Sequence, residues 1–344
     1  MSGFLVLENG TVFPGESVAA DGRAFGEAVF TTSMSGYQET VTDPSYAGQI
    51  VCFTAPMVGN YGVSEERSQS GAVHATGVVM REIGGPEWPG WLRSHGVVAL
   101  AGVDTRSLVL HLRERGAMRA AVVAGDAPVE EVLAEVRALP SMEGAALVAD
   151  VSPREPYTFA GEGDVRVAVV DYGIKRSILQ LLAREGAAVD VYPHDVDADT
   201  LAAHDGVLLG NGPGDPAPLA DETRTVRDLL GRTPVLGVCL GHQLLALATG
   251  HETFKLPFGH RGANHPVVDH GTRRVLVTSQ NHGFAVAPGD GKGVTYTSLY
   301  DGTVEGLHYP ELRARSAQFH PEASPGPHDG ASIIAEWVEE LRVA

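Results

Sequence analysis

The chain has 344 residues, more than a single compact core usually organises, so two domains are expected. Hydrophobic residues make up 43% and charged residues 20%, an ordinary globular balance, and the formal net charge of −18 argues against a nucleic-acid binder or an anionic-membrane binder. Only two cysteines occur, Cys52 and Cys239, outside any metal-type spacing, which suits free thiols in a reducing cytoplasm and offers no metal site.

The start of the chain has neither the basic nor the apolar segment of a signal peptide, and no apolar run approaches the ~20 residues that span a bilayer. Residues 4–7 read as a strand, Asn9-Gly10 as a hairpin turn and 11–13 as the return. Strands are expected over 28–32, 49–54, 97–102 and 120–124. A helix over 106–115 is capped by Asp104 or Thr105 and ended by Gly116, and a second over 129–139 stops at Pro140. The stretch 150–164 then changes character, with two prolines, two glycines and little periodicity. It reads as a linker, 151–164, between domains 1–150 and 165–344.

Beyond it strands and helices alternate: strands over 166–170, 188–192, 206–209 and 235–238, helices over 175–184, 199–204, 222–230 and 242–249. This order implies a parallel sheet covered on both faces, with ligands bound at the carboxyl ends of its strands. From Phe254 the chain is richer in strands, and a helix over 331–341 closes it.

The motifs fall at those strand ends. Gly237-Val-Cys239-Leu-Gly241 joins an apolar strand to a helix, the cysteine form of a nucleophile elbow. The flanking glycines admit a turn in which neighbouring Cβ atoms would clash. The turn puts Cys239 at a helix N-terminus, which favours the thiolate, and aims the Leu240 N–H at a developing oxyanion. Most free cysteines are small buried hydrophobes, and that reading stands for Cys52 in its apolar run. For Cys239 the two glycines and the strand-to-helix context reverse it. A cysteine nucleophile needs a base, and His320-Pro-Glu322 supplies one. Pro321 favours extended backbone, which turns both side chains the same way, so that Glu322 can fix the imidazole tautomer. Alone, this histidine would be a surface residue beside a solvated Glu; with a distant elbow cysteine it completes a triad.

Cys239-Leu-Gly-His-Gln243 together with His320-Pro-Glu322 resembles the class I, triad-type glutamine amidotransferases. Asn211-Gly-Pro-Gly-Asp-Pro216, Gly259-His-Arg-Gly-Ala-Asn-His-Pro266, Gln280-Asn-His-Gly-Phe284 and the run after His320 are similar, more closely, to the carbamoyl phosphate synthetase small-subunit family. Thr32-Ser-Met-Ser-Gly-Tyr-Gln-Glu39, Thr42-Asp-Pro-Ser-Tyr46 and Gly102-Val-Asp-Thr-Arg106 extend the likeness through the first half, which other class I amidotransferases lack. The resemblance implies an α/β fold: a C-terminal doubly wound, mostly parallel sheet preceded by a smaller mixed α/β N-terminal domain. It implies Cys239 as nucleophile with His320 and Glu322 as partners, and Leu240 and Gly212 as oxyanion donors. It implies Ser45, Gly214, Gln243, Asn281, Gly283 and Phe284 as glutamine-holding positions, with Ser45 reaching from the N-terminal domain. Each has a plainer reading as a turn or first-helical-turn residue. One departure is a short segment, Gly84-Gly-Pro-Glu-Trp-Pro-Gly90, where many relatives are longer.

The chain has no phosphate-binding G-x-x-x-x-G-K-[ST] run. It is therefore expected to carry no cofactor and to leave ATP and Mg to another chain; the resemblance implies that this partner is the large synthetase subunit, in a heterodimer or a higher oligomer of heterodimers. L-Glutamine is the expected substrate, and arginine and pyrimidine synthesis the expected destinations. A glutaminase serving another synthetase, a non-catalytic regulatory module and a standalone cysteine hydrolase stay open as alternatives.

Overall fold

Alternate residues along the strands of the first half enter different cores, and the pairing of those strands closes them into a barrel. In the computed structural model, which describes residues 2–343, two compact units are present. One runs to Ala145 and takes in Pro257–Arg261; the other is Ala146–Leu256 with the chain from Gly262 onward. The first unit comprises β1 (Ser2–Leu7), β2 (Val12–Ser17), β3 (Gly22–Thr31), α1 (Tyr37–Thr42), β4 (Gln49–Phe53), β5 (Met57–Val58), β6 (Gly77–Val79), β7 (Glu82–Ile83), α2 (Glu87–Ser94), β8 (Val98–Ala101), α3 (Thr105–Arg115), β9 (Met118–Ala124) and α4 (Val129–Ala138). Its main strands form a closed barrel in the order β1-β2-β8-β6-β4-β3-β9. Leu5, Leu7, Ile50, Cys52, Val98, Leu100, Ala120 and Val122 share one core. The intervening Val6, Ala121 and Val123 pack with Val132 and Val136 of α4, the period-2 alternation of strands buried on both sides. Cys52 is thus a core side chain, and burial pushes its thiol up to about 12.

Local sequence explains the joints. Gly10 adopts φ 88 in the β1–β2 turn, the left-handed geometry that Asn-Gly supplies. Asp104 caps α3 by accepting from Ser107 N at 3.1 Å, and Gly116 at φ 92 ends that helix. The short Gly84–Gly90 segment runs into α2, and its Trp88 is fully buried. Pro86 and Pro89 lie where the first turn asks no intrahelical N–H of them.

The second unit comprises α5 (Val148–Val151), β10 (Tyr157–Ala160), β11 (Val165–Asp171), α6 (Arg176–Arg184), β12 (Ala187–Pro193), α7 (Ala198–Ala202), β13 (Gly206–Leu209), α8 (Ala220–Leu229), β14 (Val235–Val238), α9 (Leu240–Ala248), β15 (Thr253–Asp269, apart from the segment Pro257–Arg261 that belongs to the first unit), β16 (Val275–Val286), β17 (Val294–Ser298), β18 (Val304–Tyr309), β19 (Ala314–Ala317) and α10 (Ser332–Val343). Ten strands form one sheet, β10-β12-β11-β13-β14-β19-β18-β16-β15-β17. The five from β12 to β19 run parallel, and β10 and β18 join antiparallel on either side. Val167, Val169, Leu208 and Leu236 face α6 and α10; Ala168, Val170, Val207 and Leu209 face α7, α8 and α9. The segment expected as a linker holds β10, which pairs with β12. Because β10 is an edge strand with three exposed residues, its sequence lacks the buried-face alternation that marks a strand. Among the described residues no helix is long and apolar enough to cross a membrane.

Candidate active site

Adjacent parallel strands β11, β13, β14 and β19 release their chains at their carboxyl ends, and the four following loops meet there. This is where an open α/β sheet collects ligands. The loop after β14 is a single residue. Cys239 caps α9 at φ 55 and ψ −103, a conformation costing a non-glycine residue about 1–3 kcal/mol. Its N–H donates to Ala317 O at 2.9 Å, which ties the elbow to β19. A Cβ on Gly237 would stand 2.5 Å from Gly241 O, and one on Gly241 would stand 2.2 Å from Leu209 O, so both positions demand glycine. Leu240 is the first residue of α9, so its N–H has no partner inside the helix. Gly212 lies against it, since an added Cβ would meet Leu240 Cδ2 at 2.8 Å and Tyr172 O at 2.4 Å.

After β19 the chain passes through Gln318 and Phe319 to His320, whose N–H donates to Ser279 O at 2.9 Å. His320 Nδ1 lies 2.6 Å from Glu322 Oε1, but the backbone between them is not extended as expected: Pro321 and Glu322 form a turn, closed by Ala323 N–H donating to His320 O at 3.1 Å, and that turn brings the two side chains together. Both are buried. Lys175, from the loop after β11, is buried as well and donates from Nζ to Glu322 Oε1 at 2.8 Å and to Ala323 O at 2.6 Å. Ala323 itself has φ 58, so the lysine also holds the carbonyl of a left-handed turn.

Burial opposes charge on His320 and Glu322, and the attraction between them overrides it. Desolvation and the Lys175 cation would lower the His320 pKa, but the Glu322 carboxylate, with a smaller effect of Cys239, raises it to about 10. Desolvation would raise that of Glu322, but Lys175 and His320 lower it to about 2. Among the described residues His320 Nε2 is buried with no hydrogen-bond partner, and Cys239 is close enough to contribute to the raised pKa of the ring. The imidazole is therefore anchored on one nitrogen and available on the other, beside a cysteine.

The remaining expected residues divide between the units. Asn281 O lies 3.6 Å from Cys239 Sγ, and Gly283 and Phe284 follow on β16. Gln243 spends both protons of its amide within the protein, on Phe284 O at 2.8 Å and Gln318 Oε1 at 3.1 Å. Its Oε1 is the atom left for a ligand. Gly214 has φ 87 in the loop after β13. Ser45 is in the first unit, buried in a short 3-10 turn where its N–H donates to Asp43 Oδ1 at 2.9 Å. Sequence reading passed over Lys175 and Asn211. A lysine in the first turn after the first strand of the sheet was the available signal, since ligand groups gather there.

Residues 5–122 match the family model described as carbamoyl-phosphate synthase small chain, CPSase domain, and residues 168–339 match glutamine amidotransferase class-I. The carbamoyl phosphate synthase small chain of Thermotoga maritima is 42% identical over 386 residues, covering 98% of each chain. That of Methanopyrus kandleri is 45% identical over 360 residues, covering 99% of each. That of Pseudomonas aeruginosa is 42% identical over 368 residues, covering 98% of this chain and 97% of its own.

Proposed function

The chain belongs to the carbamoyl phosphate synthase small-chain family, and on that premise we propose that it hydrolyses L-glutamine with a Cys239–His320–Glu322 triad and passes the ammonia to a large synthetase subunit. The observation that carries this reading is the pairing of a strained elbow cysteine with a buried His–Glu couple closed at 2.6 Å.

Cys239 Sγ, its proton passed to His320, bonds to the side-chain carbonyl carbon of glutamine. The oxygen takes up negative charge facing the N–H groups of Leu240 and Gly212; losing one such donor costs ~2.7–4 kcal/mol of transition-state stabilisation. The carbon–nitrogen bond breaks as His320 gives its proton to the leaving nitrogen, releasing ammonia and leaving a γ-glutamyl thioester. Water then gives a proton to His320 and its oxygen to the thioester carbon, glutamate leaves, and Sγ is regenerated. Glu322 holds the imidazole tautomer and balances the imidazolium, while Lys175 keeps Glu322 ionised. Gly214, Gln243, Asn281, Gly283 and Phe284 bind the rest of the glutamine. The enclosure of Cys239 and His320 suits ammonia, which in bulk water would become ammonium and lose its nucleophilicity.

The chain takes no cofactor for this step. ATP and Mg serve the large subunit, which joins bicarbonate and ammonia in a cytoplasmic assembly feeding arginine and pyrimidine synthesis. Purified chain is expected to release glutamate slowly from glutamine, and faster with a large subunit, ATP and bicarbonate, with carbamoyl phosphate formed. Cys239→Ala is expected to remove glutamine use and leave synthesis from added ammonia. Wild-type hydrolysis in that variant would falsify the triad.

A further inference from the structure

Between the oxyanion side of the site and its acid–base side lies a buried carboxamide with no role so far. Asn211 follows β13 and Gly210 and is fully buried. Its Oδ1 accepts from Lys175 N at 3.0 Å, and its Nδ2 donates to Gly173 O at 3.0 Å. Both ends of the amide thus grip the backbone of one loop, 171–175. The partners fix its orientation, because an N–H must face the oxygen and a carbonyl must face the nitrogen. Asp171 holds the other half of that loop, accepting from Gly173 N at 2.8 Å and Ile174 N at 2.7 Å.

The loop carries two things the reaction needs. Lys175 at its end reaches Glu322 Oε1 and Ala323 O. Its Tyr172 carbonyl walls Gly212, the residue directly after Asn211. One side chain therefore links, through covalent neighbours and hydrogen bonds, the expected oxyanion donor at 212 to the lysine that orients the triad carboxylate.

We infer that Asn211 is a positioning residue that sets the Gly212 N–H and the Lys175–Glu322–His320 chain in register with each other. It touches neither glutamine nor the reacting atoms. Its effect falls on steps where charge develops, so kcat changes while glutamine binding does not. This inference rests on the glutaminase reading for its kinetic form, but the register it describes is also visible in the reactivity of the Cys239 thiol.

The test uses the full-length chain with Asn211→Ala and Asn211→Asp, measuring glutamine kinetics and the rate of Cys239 alkylation by iodoacetamide. Asn211→Asp keeps the size and the acceptor for Lys175 N–H but sets a second acceptor against Gly173 O, so it breaks one loop contact and keeps the other, and alkylation and kinetics are compared for the variants whose circular dichroism matches wild type. The expected result is a fall in kcat of about 100-fold, the scale of a misplacement near 1 Å, with KM within about threefold of wild type, and an altered pH profile of alkylation. If wild-type chain hydrolyses glutamine and the folded variants match it in kcat and in alkylation, the inference is overturned. A rise in KM with kcat unchanged overturns it too, since that assigns Asn211 to substrate binding. If no chain hydrolyses glutamine while the variants still shift the alkylation profile, the glutaminase reading fails and the positioning role stands.

Discussion

The backbone of Cys239, at φ 55, is a strain the fold tolerates because its neighbours leave no other path, and the three charged groups beside it are tolerated on the same terms. Lys175, His320 and Glu322 are each nearly removed from solvent, where an unpaired charge is strongly destabilising. Lys175→Met removes the cation that faces Glu322 and the donor to Ala323 O. Because His320 still pairs with Glu322, the expected loss is about 3 kcal/mol, the lower end for a broken buried pair, read as a fall in the urea midpoint. An unchanged midpoint would mean that the lysine contributes nothing net to the fold. The pH dependence has a definite sign. His320 is raised from 6.5 to about 10, so its contribution to stability is full below pH 6.5 and is lost as pH rises through 10. Glu322 is lowered from 4.5 to about 2, so its contribution is full above pH 4.5 and is lost as pH falls through 2. The Tm difference between wild type and His320→Gln should therefore shrink steadily from pH 6.5 toward pH 10. A difference that stays constant over that window would remove the imidazolium from the resting site.

Among the elements, the β14–α9 elbow is the one that sequence defines most sharply, because its requirement is steric and local. Gly241→Ala drives a Cβ to 2.2 Å from Leu209 O and Gly237→Ala drives one to 2.5 Å from Gly241 O, both against backbone that cannot rotate away. Each substitution is expected to cost about 1–3 kcal/mol in overpacking and to remove glutaminase activity, measured as glutamate release from folded protein. Activity surviving in Gly241→Ala would show that the turn can open without displacing Cys239. The same locality explains what the sequence disclosed. Elbow, His-Pro-Glu and the parallel strand–helix alternation are short-range patterns, and each lies where its residues indicated. The barrel was hidden because closure is a non-local property: nothing in β3 announces that it pairs with both β4 and β9. Strand β10 was hidden because an exposed edge strand has no buried face to alternate. The roles of Lys175 and Asn211 were hidden because they are defined by atoms more than 30 residues away; the place of Lys175 after a strand and of Asn211 at the head of its Gly-Pro motif marked their neighbourhood but not their partners.

At the scale of the whole molecule, the apolar residues sort into cores that belong to one unit or the other. Leu5, Leu100 and Val122 share the barrel core with Phe258, from the returning segment 257–261, while Val169, Leu236 and Trp337 share one face of the second sheet. Separate cores imply separate responses to damage. The three tryptophans make this measurable, since Trp88 and Trp91 belong to the first unit and Trp337 to the second. Leu100 is fully buried, so Leu100→Ala is expected to cost about 2–5 kcal/mol. With Trp337→Phe as background, fluorescence reports the first unit, and its thermal transition should move down in Leu100→Ala. With Trp88→Phe and Trp91→Phe as background, Trp337 reports the second unit, and its transition should move much less. If both reporters shift by the same amount, the two cores unfold as one cooperative body, and damage to the barrel then destabilises the sheet that carries Cys239 and His320 equally.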